Sequence, residues 1–229
     1  MIKKLFTSIL IFPFFVSAQT IALDIGHYIK SPGTVSAYGD YEFYYNKELS
    51  QFVGNALIQS GYKVNIQGFN GDLSSLTQRG ELANKSDFLI SLHHDAIQAQ
   101  HLSKWSYNGK TQIFSDEVRG FGVFVSTKNP QFKKSLVCAK AIASQLMKAG
   151  FTPNYYHSLD IPNERKELLD AKLPVYRYDN LIVLKGTQVP AILIEAGVLT
   201  NRQEAIWIRQ NDVRTAFAHY VAAGMKQCL

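Results

Sequence analysis

Three short apolar segments of this chain each run into residues that can bind a metal or move a proton. The segments 20–23, 88–92 and 190–194 are followed by His27, His93 and Glu195. Near-continuous apolar runs of this length suit the strands of a parallel sheet that helices cover on both faces. Because ligands gather at the carboxyl ends of such strands, we expect these three side chains to converge on one edge of a sheet.

Helix-like and strand-like segments alternate along the rest of the chain. Helical spacing of apolar residues or capping signals predict helices over 42–60, 75–84, 131–149, near 201–204 and over 212–226. Further strands are expected at 62–66, 121–125 and 181–184. The sequence therefore predicts a single α/β domain with a mostly parallel twisted sheet of about six strands and helices on both faces.

Two long segments show no regular pattern, and we expect loops there. Residues 97–120 are polar and irregular, and residues 151–180 are interrupted by prolines, with a short helix expected over 164–171. Loops of this length in a compact domain are commonly functional. One hypothesis is that a loop covers the site until a protein activator, which the sequence does not identify, displaces it. The acidic residues that could do so are Asp116, Glu117, Glu164 and Glu167.

The first 18 residues have the layout of a secretory signal peptide. Two lysines precede an apolar run over residues 9–16, and small residues end at Ala18. A membrane anchor is disfavoured because Pro13 interrupts the run, which is shorter than the ~20 residues needed to span a bilayer. We therefore expect an exported protein of the periplasm or cell-wall space, without a membrane anchor after cleavage, whose mature domain covers residues 19–229.

Charge and cysteine content narrow the function classes further. The chain has 24 basic and 18 acidic residues, and the basic residues are scattered, which disfavours nucleic-acid binding. A mild basic excess suits contact with anionic polymers. Cys138 and Cys228 can form a disulfide in an oxidising compartment, but their separation leaves the pairing open. A metal role for them is disfavoured because paired cysteine spacing is missing.

The polar residues at the strand ends fit a catalytic zinc centre. Catalytic zinc takes three protein ligands from His, Asp, Glu or Cys and keeps an open position for water. His27 and His93 can supply imidazoles. Glu42, which opens the helix after the first strand, can supply a carboxylate, although an acidic residue there also suits the helix dipole alone. Glu195 is placed to move a proton without binding the metal.

Other polar residues nearby have plainer explanations. His94 competes with His93, and adjacent strand residues point to opposite faces. Asp24 and Asp95 could orient a ligand histidine or cap turns, and Arg79 is expected to tie its helix to the sheet. Three further histidines have no motif around them and are expected to be ordinary surface or packing residues: His101, His157 and His219.

The motifs together resemble those of the zinc-dependent N-acetylmuramoyl-L-alanine amidases of the amidase-3 type. Residues 22–46 are similar to the family's opening: Asp-x-Gly-His, a Pro-Gly loop, then Gly-x-x-Glu with Asn four residues on. Residues 76–96 resemble its Arg-x-x-x-Ala-Asn block, which leads to Ser-x-His-x-Asp-Ala. Residues 183–205 resemble its closing block, where Pro-x-x-Leu-x-Glu-x-Gly precedes Leu-Thr-Asn. The blocks span nearly the whole mature chain in the right order.

The resemblance implies a site and a reaction. It implies one zinc ion per chain, held by His27, Glu42 and His93, and it favours His93 over His94, which then becomes a structural or pocket-wall residue. The implied substrate is peptidoglycan, cut at the amide between the lactyl group of N-acetylmuramic acid and the L-alanine of the stem peptide. Glu195 would take a proton from the attacking water and return it to the departing alanine nitrogen.

The chain departs from the family's pattern at two positions. Tyr28 stands where a glycine is usual, and Val198 where an aromatic residue is common. Tyr28 could narrow the cleft or stack against sugar, so it bears on substrate preference rather than on the metal site. Two other functions remain open: a catalytically silent peptidoglycan-binding or regulatory protein of the same fold, and a zinc peptidase that cuts within the stem peptide.

Overall fold

Strands and helices alternate through residues 18–162 and 165–229, the part of the chain that the computed structural model describes. The predicted signal peptide lies almost wholly outside that part. None of the described helices has the length and apolarity to cross a membrane. In chain order the elements are β1 (Thr20–Ile25), α1 (Glu42–Gln59), β2 (Lys63–Gln67), α2 (Leu76–Ala83), β3 (Phe88–Asp95), β4 (Ser103–Tyr107), β5 (Lys110–Phe114), β6 (Gly122–Val125), α3 (Phe132–Lys148), β7 (Glu167–Leu168), β8 (Val175–Arg177), α4 (Ile182–Gly186), β9 (Ala191–Val198), α5 (Arg202–Trp207) and α6 (Asn211–Met225).

The main sheet has seven strands in the order β2-β1-β3-β9-β6-β8-β7. β2, β1, β3 and β9 are parallel neighbours, β6 runs antiparallel to β9 and parallel to β8, and β7 runs antiparallel to β8. The predicted mostly parallel sheet is confirmed, with one strand more than expected. Because β1, β3 and β9 are adjacent and parallel, their carboxyl ends meet at one edge, where ligand sites of open α/β sheets form.

Side chains of the sheet alternate between two hydrophobic cores. Ile90 and Ile192 are fully buried in the core that also contains side chains of α1, α3 and α6. Leu89 and Leu193 face the opposite core, to which α2 and α4 contribute. Burying each such side chain contributes about 1.5–3 kcal/mol, so both faces stabilise the sheet. The helices on both faces are thus confirmed, and the α2/α4 face is the one covered by the shorter helices.

The prediction of a loop over residues 97–120 is wrong. Residues 103–114, half of that segment, form an antiparallel hairpin in which β4 pairs with β5. Asn108 and Gly109 connect the strands with positive φ angles of 50° and 72°, and Asn-Gly is the preferred pair for such a turn. The hairpin packs on the β1–α1 loop, because the Trp105 indole N–H donates to the carbonyl of Ala37 at 2.9 Å.

Two shorter predictions near the end of the chain are also wrong. Residues 181–184 do not form a strand, since α4 covers most of them; a short apolar run does not distinguish a strand from a buried helix. The helix expected over 164–171 begins outside the described residues, and the described part contains β7 instead. β7 extends the sheet because Glu167 pairs with Arg177 and Leu168 with Tyr176 in the register.

A disulfide links α3 to the C-terminal end of the chain on one face of the sheet. Cys138 in α3 is bonded to Cys228, just beyond α6, across 90 residues of sequence. Cys138 is fully buried in the core shared by α3 and α6. The bond therefore fastens the C-terminal end of the chain to the helix against which α6 packs.

We expect Cys228→Ala to lower the free energy of unfolding by about 2–5 kcal/mol, because an unfolded chain released from a long closed loop gains conformational entropy. Chemical denaturation of the two proteins measures the difference. A reducing agent serves as the control, since it should bring the wild-type protein to the stability of the variant. Equal stability of variant and wild type under oxidising conditions would contradict the expectation.

Glu204 of α5 links the loop before β6 to the end of β9. The backbone N–H groups of Gly120 and Val198 donate to its carboxylate at 2.9 and 2.7 Å. Burial raises the pKa of Glu204 to about 7, although the hydrogen bonds from Val198 and Gly120 and the charge of Arg119 oppose the rise. The folded protein therefore holds this proton more tightly than the unfolded chain does.

Stability should consequently fall as the pH rises from about 4.5 to about 7. Below about pH 4.5 the folded and unfolded states both carry the proton. Between about pH 4.5 and 7 the unfolded chain loses the proton while the folded protein keeps it. Above about pH 7 the folded protein has therefore lost about 3 kcal/mol of stability, by linkage. Denaturation at pH 4.5, 6 and 7.5 measures this slope. Glu204→Gln cannot titrate, so its slope should be smaller than that of the wild type, and identical slopes would refute the assignment.

Candidate active site

Three parallel strands and one helix start bring the predicted site residues to one edge of the sheet. His27 follows the end of β1, His93 lies near the end of β3, and Glu42 is the first residue of α1. Glu195 of β9 lies opposite His93 in the register of the two strands. The expected convergence of His27, His93 and Glu195 on one sheet edge is therefore present in the structure.

Glu42 bridges the two imidazoles. His27 Nε2 is 2.9 Å from Glu42 Oε2, and His93 Nδ1 is 3.0 Å from Glu42 Oε1. One potential ligand atom from each of the three residues lies within 4.8 Å of the others. Two imidazole nitrogens and one carboxylate oxygen form a donor set that zinc binds in catalytic sites. These residues therefore fit a metal ion, and we refer to them as the ligand cluster.

Hydrogen bonds fix the Glu42 carboxylate from the protein side. Asn46 Nδ2 donates to Oε1 at 3.1 Å, and the backbone N–H groups of His94 and Thr34 donate at 3.2 Å to Oε1 and Oε2. Burial alone raises the pKa of Glu42, but the hydrogen bonds and charges of His27 and His93 outweigh burial and lower it below its ordinary value. The carboxylate is therefore held in its ionised form, the form that binds metals.

Two glycines leave the space that the ligand cluster occupies. A Cβ atom on Gly26 would lie 2.4–2.6 Å from ring atoms of His93, and one on Gly33 would lie 2.4 Å from Glu42 Oε2. Gly33 also has a φ of 81°, and His27 itself has a φ of 67°. A positive φ is uncommon for a residue with a side chain. The loop after β1 thus adopts a backbone that presents the His27 imidazole to Glu42.

Arg79 of α2 holds this loop from beneath. Its guanidinium is 2.7 Å from Asp24 Oδ1 and donates to the backbone carbonyls of Ile25, His27 and Leu73. Arg79 and Asp24 are both buried. The expectation that Arg79 ties its helix to the sheet is confirmed, and the same contacts anchor the backbone of His27. Asp24 also accepts a hydrogen bond from Ser91, so its partners are not the ligand histidines.

His94 points away from the ligand cluster. Its Nδ1 is 2.7 Å from Asn46 Oδ1, within the core side of the sheet. Burial lowers the pKa of His94 to about 3, so the ring is neutral. Since Asn46 donates in turn to Glu42, His94 supports the carboxylate indirectly. The structure thus brings His93, rather than His94, to His27 and Glu42.

Glu195 stands beside the ligand cluster with one carboxylate oxygen free of hydrogen bonds. Its Oε2 is buried and has no hydrogen-bond partner within residues 18–162 and 165–229. Burial, with added repulsion from Asp95 and Glu42, raises the pKa of Glu195 well above its ordinary value. The side chain lines a pocket of about 230 Å³. A buried carboxylate oxygen without a hydrogen-bond partner, on a side chain that lines a pocket, is a candidate for proton transfer.

A second polar group in that pocket was missed in the sequence. His157 Nε2 lies 2.6 Å from Asp95 Oδ2, and Asn154 Nδ2 donates to the same oxygen at 3.1 Å. His157 is buried and packs edge-on against the rings of Phe124 and Tyr176, so the packing alternative holds and its polar contact is what the sequence did not show. Asp95 therefore contacts His157 rather than a ligand histidine. The two residues are 62 positions apart, and no local motif could have connected them.

Two of the acidic loop residues proposed as covers are engaged elsewhere, and a third, Glu117, is exposed. Asp116 pairs with Arg202, and Glu167 lies 3.1 Å from Arg177. Glu164 lies outside the described residues. The described loops therefore give no support to a cover over the ligand cluster.

A protein-family model described as N-acetylmuramoyl-L-alanine amidase matches residues 21–227. The chain belongs to this family. A protein of Buchnera aphidicola that carries the same family name is 26% identical over 228 residues, covering 90% of this chain and 93% of its own length. The resemblance seen in the sequence motifs is thereby confirmed.

Solved structures of amidases share the fold. The Ami1 amidase of Mycobacterium smegmatis superimposes with a TM-score of 0.72 at 19% identity, covering 93% of this chain and 97% of that one. An amidase of Clostridium difficile 630 gives a TM-score of 0.68 at 22% identity, covering 92% and 96%. At these identities the likeness demonstrates the amidase fold.

The contacts of Arg79 predict that its removal destabilises the protein strongly. Arg79→Met should lower the free energy of unfolding by about 3–5 kcal/mol, because it leaves the Asp24 carboxylate buried without a counter-charge. Denaturant titration measures the loss. The double variant Asp24→Asn with Arg79→Met is the control, since its loss should be smaller than the sum of the two single losses. A purely additive double variant would show that the pair is not coupled.

Proposed function

We propose that this protein is an exported, zinc-dependent N-acetylmuramoyl-L-alanine amidase. It hydrolyses the amide between the lactyl group of N-acetylmuramic acid and the L-alanine of the peptidoglycan stem. The observation that carries this proposal is the ligand cluster of His27, Glu42 and His93 with the unpaired carboxylate oxygen of Glu195 beside it, in a chain of the amidase family.

His27, Glu42 and His93 would hold one zinc ion per chain. Zinc with three protein ligands acidifies water and polarises a carbonyl oxygen. The protein's own contribution is to keep the ligands in place. Glu42 is fixed by Asn46 and by backbone N–H groups, and the glycines next to the imidazoles leave them room. Such supporting contacts typically change metal affinity by about 10–100-fold.

Glu195 is the proposed general base and acid. Its raised pKa, caused by burial and by the neighbouring carboxylates, favours a group that accepts a proton and then releases it. In the first step Glu195 takes a proton from the attacking water. In the second it gives that proton to the alanine nitrogen as the amide C–N bond breaks, so the amine leaves neutral.

Export is supported by two observations. Residues 1–18 have the layout of a signal peptide, and Cys138 is paired with Cys228. Disulfides persist in oxidising compartments such as the periplasm and the cell surface. We infer that residues 19–229 act in the periplasm or cell-wall space, where peptidoglycan is found.

The decisive experiment compares Glu195→Gln with His93→Ala. Glu195→Gln should retain zinc while its hydrolysis rate falls by about 10²–10⁴-fold, the contribution of a positioned proton-transfer group. His93→Ala should lose zinc as well as activity. Zinc content by mass spectrometry and digestion of purified muropeptides measure the two quantities.

The products distinguish this function from its alternatives. Amidase activity releases peptides with a new N-terminal L-alanine, whereas a peptidase would create new D-amino-acid termini. Intact muropeptides after incubation with the zinc-loaded wild type would favour a silent binding protein. Unchanged hydrolysis by Glu195→Gln would remove Glu195 from the mechanism.

A further inference from the structure

The ligand cluster lies between two pockets on the α2/α4 face of the sheet. Strand residues that share this face alternate along each strand: His93 follows Leu89 by four positions, and Glu195 follows Leu193 by two. Phe124 of β6 lies opposite Leu193 in the register. The strand order β1-β3-β9-β6-β8 therefore sets the order of these residues across the sheet: His27, His93, Glu195 and then Phe124.

The first pocket lies on the β1 side of the cluster. It has a volume of about 260 Å³ and is bordered by His27 and His93, with Tyr28, Leu76 and Val183 as its apolar wall. Ser31 and Ser74 add hydroxyl groups to its lining. The turn that carries Tyr28 is fixed, because the backbones of Tyr28 and Ser31 exchange two hydrogen bonds of 3.3 and 3.0 Å. We call this space the β1-side pocket.

The second pocket lies on the β9 side. It contains Glu195 and His157, and its outer wall is formed by Lys166 and Tyr178. The ammonium of Lys166 lies 4.7 Å from the centre of the Tyr178 ring. The same two residues also line an adjoining open groove of about 430 Å³. We call the pocket that contains Glu195 and His157 the β9-side pocket. The open groove continues this pocket beyond β8.

We propose that the two pockets bind the two halves of the substrate: the muramoyl sugar in the β1-side pocket and the stem peptide in the β9-side pocket. This orientation rests on the proposed amidase function. The group that protonates the leaving nitrogen must lie within hydrogen-bond reach of it. Glu195 borders only the β9-side pocket of these two. The alanine nitrogen, and with it the peptide, therefore lies on that side, and the acyl half lies towards His27.

The chemistry of each wall agrees with its proposed occupant. An aromatic ring with hydroxyl groups nearby, as Tyr28 has in Ser31 and Ser74, suits the apolar face and the hydroxyls of a sugar ring. A stem peptide whose second residue is D-glutamate joined through its side chain carries a free α-carboxylate. Lys166 supplies an ammonium for a charge-assisted hydrogen bond to such a carboxylate.

Lys166→Met tests the peptide side. The substrates are two disaccharide tripeptides that differ only in whether the D-glutamate α-carboxyl is free or amidated. We expect kcat/KM to fall about tenfold for the free acid, the size of one lost charged hydrogen bond, and to stay unchanged for the amide. Lys166→Arg should restore the preference. Lys134→Met, an exposed site on α3 across the sheet, removes the same charge and should change neither substrate.

Tyr28→Ala tests the sugar side with a third substrate, the lactyl tripeptide that keeps the scissile amide but lacks the sugars. We expect Tyr28→Ala to lower kcat/KM about tenfold for the disaccharide substrates, as for one lost stacking ring, and to leave the lactyl tripeptide unchanged. Tyr44→Ala is the matched control, because Tyr44 is exposed on α1, which covers the opposite face. Thermal unfolding confirms that each variant is folded.

The outcomes separate this proposal from the amidase function itself. A Lys166 effect equal for acid and amide, or a Tyr28 effect that persists without the sugars, overturns the orientation while the enzyme remains an amidase. The reversed pattern, with Tyr28 sensing the carboxylate and Lys166 the sugar, assigns the opposite orientation and also overturns it. Failure of the zinc-loaded wild type to release any L-alanine terminus overturns both proposals together.

Discussion

The bridge from the Glu42 carboxylate to the two imidazoles is the contact on which the rest of the site depends. Glu42 has only 4% of its surface exposed, so its carboxylate must be compensated by hydrogen bonds or opposite charge, because an isolated buried charge is strongly disfavoured. The imidazoles of His27 and His93, Asn46 and the His94 N–H provide this compensation. The requirements of folding and of metal binding therefore coincide at Glu42.

The residues around this bridge place its partners with little freedom. Arg79 binds the carbonyl of His27 and the carboxylate of Asp24, so α2 and the end of β1 are fixed together. Gly26 lies directly against the His93 ring, which excludes any larger residue there. Rigid ligands reduce the entropy lost when a metal binds, and they maintain the distance to Glu195 on the neighbouring strand.

The sequence predicts the strands that form the site better than it predicts the connections between them, such as α4 and the β4–β5 hairpin. The strands that end near His27, His93 and Glu195 are recognisable because each is an apolar run with a polar end, and that pattern determines both burial and position. The α4 segment was mistaken for a strand since five residues are too few to show a period. The β4–β5 hairpin was overlooked although Asn108-Gly109 between alternating residues is a strong turn signal.

Contacts between residues far apart in the chain could not be predicted from the sequence, for a different reason. His157 meets Asp95, and Cys138 meets Cys228, only because the strand order and helix packing bring them together. Neither pair has a local signal, and the cysteine pairing could be left only as an open alternative. The position of Glu42 likewise depends on the path of the loop before α1, which periodicity does not describe. The start of the helix made Glu42 a candidate ligand, and the family resemblance selected it.

The hairpin adds a mechanical element to this arrangement. The Trp105 indole is hydrogen-bonded to the Ala37 carbonyl, and the Tyr38 ring packs edge-on against Trp105 and Tyr107. Ala37 and Tyr38 both lie in the loop that connects His27 to Glu42. His27 and Glu42 thus lie at the two ends of one loop, and the β4–β5 hairpin holds that loop in place. A relative with a shorter hairpin would need other contacts to hold the β1–α1 loop, so hairpin length and loop sequence should change together in evolution.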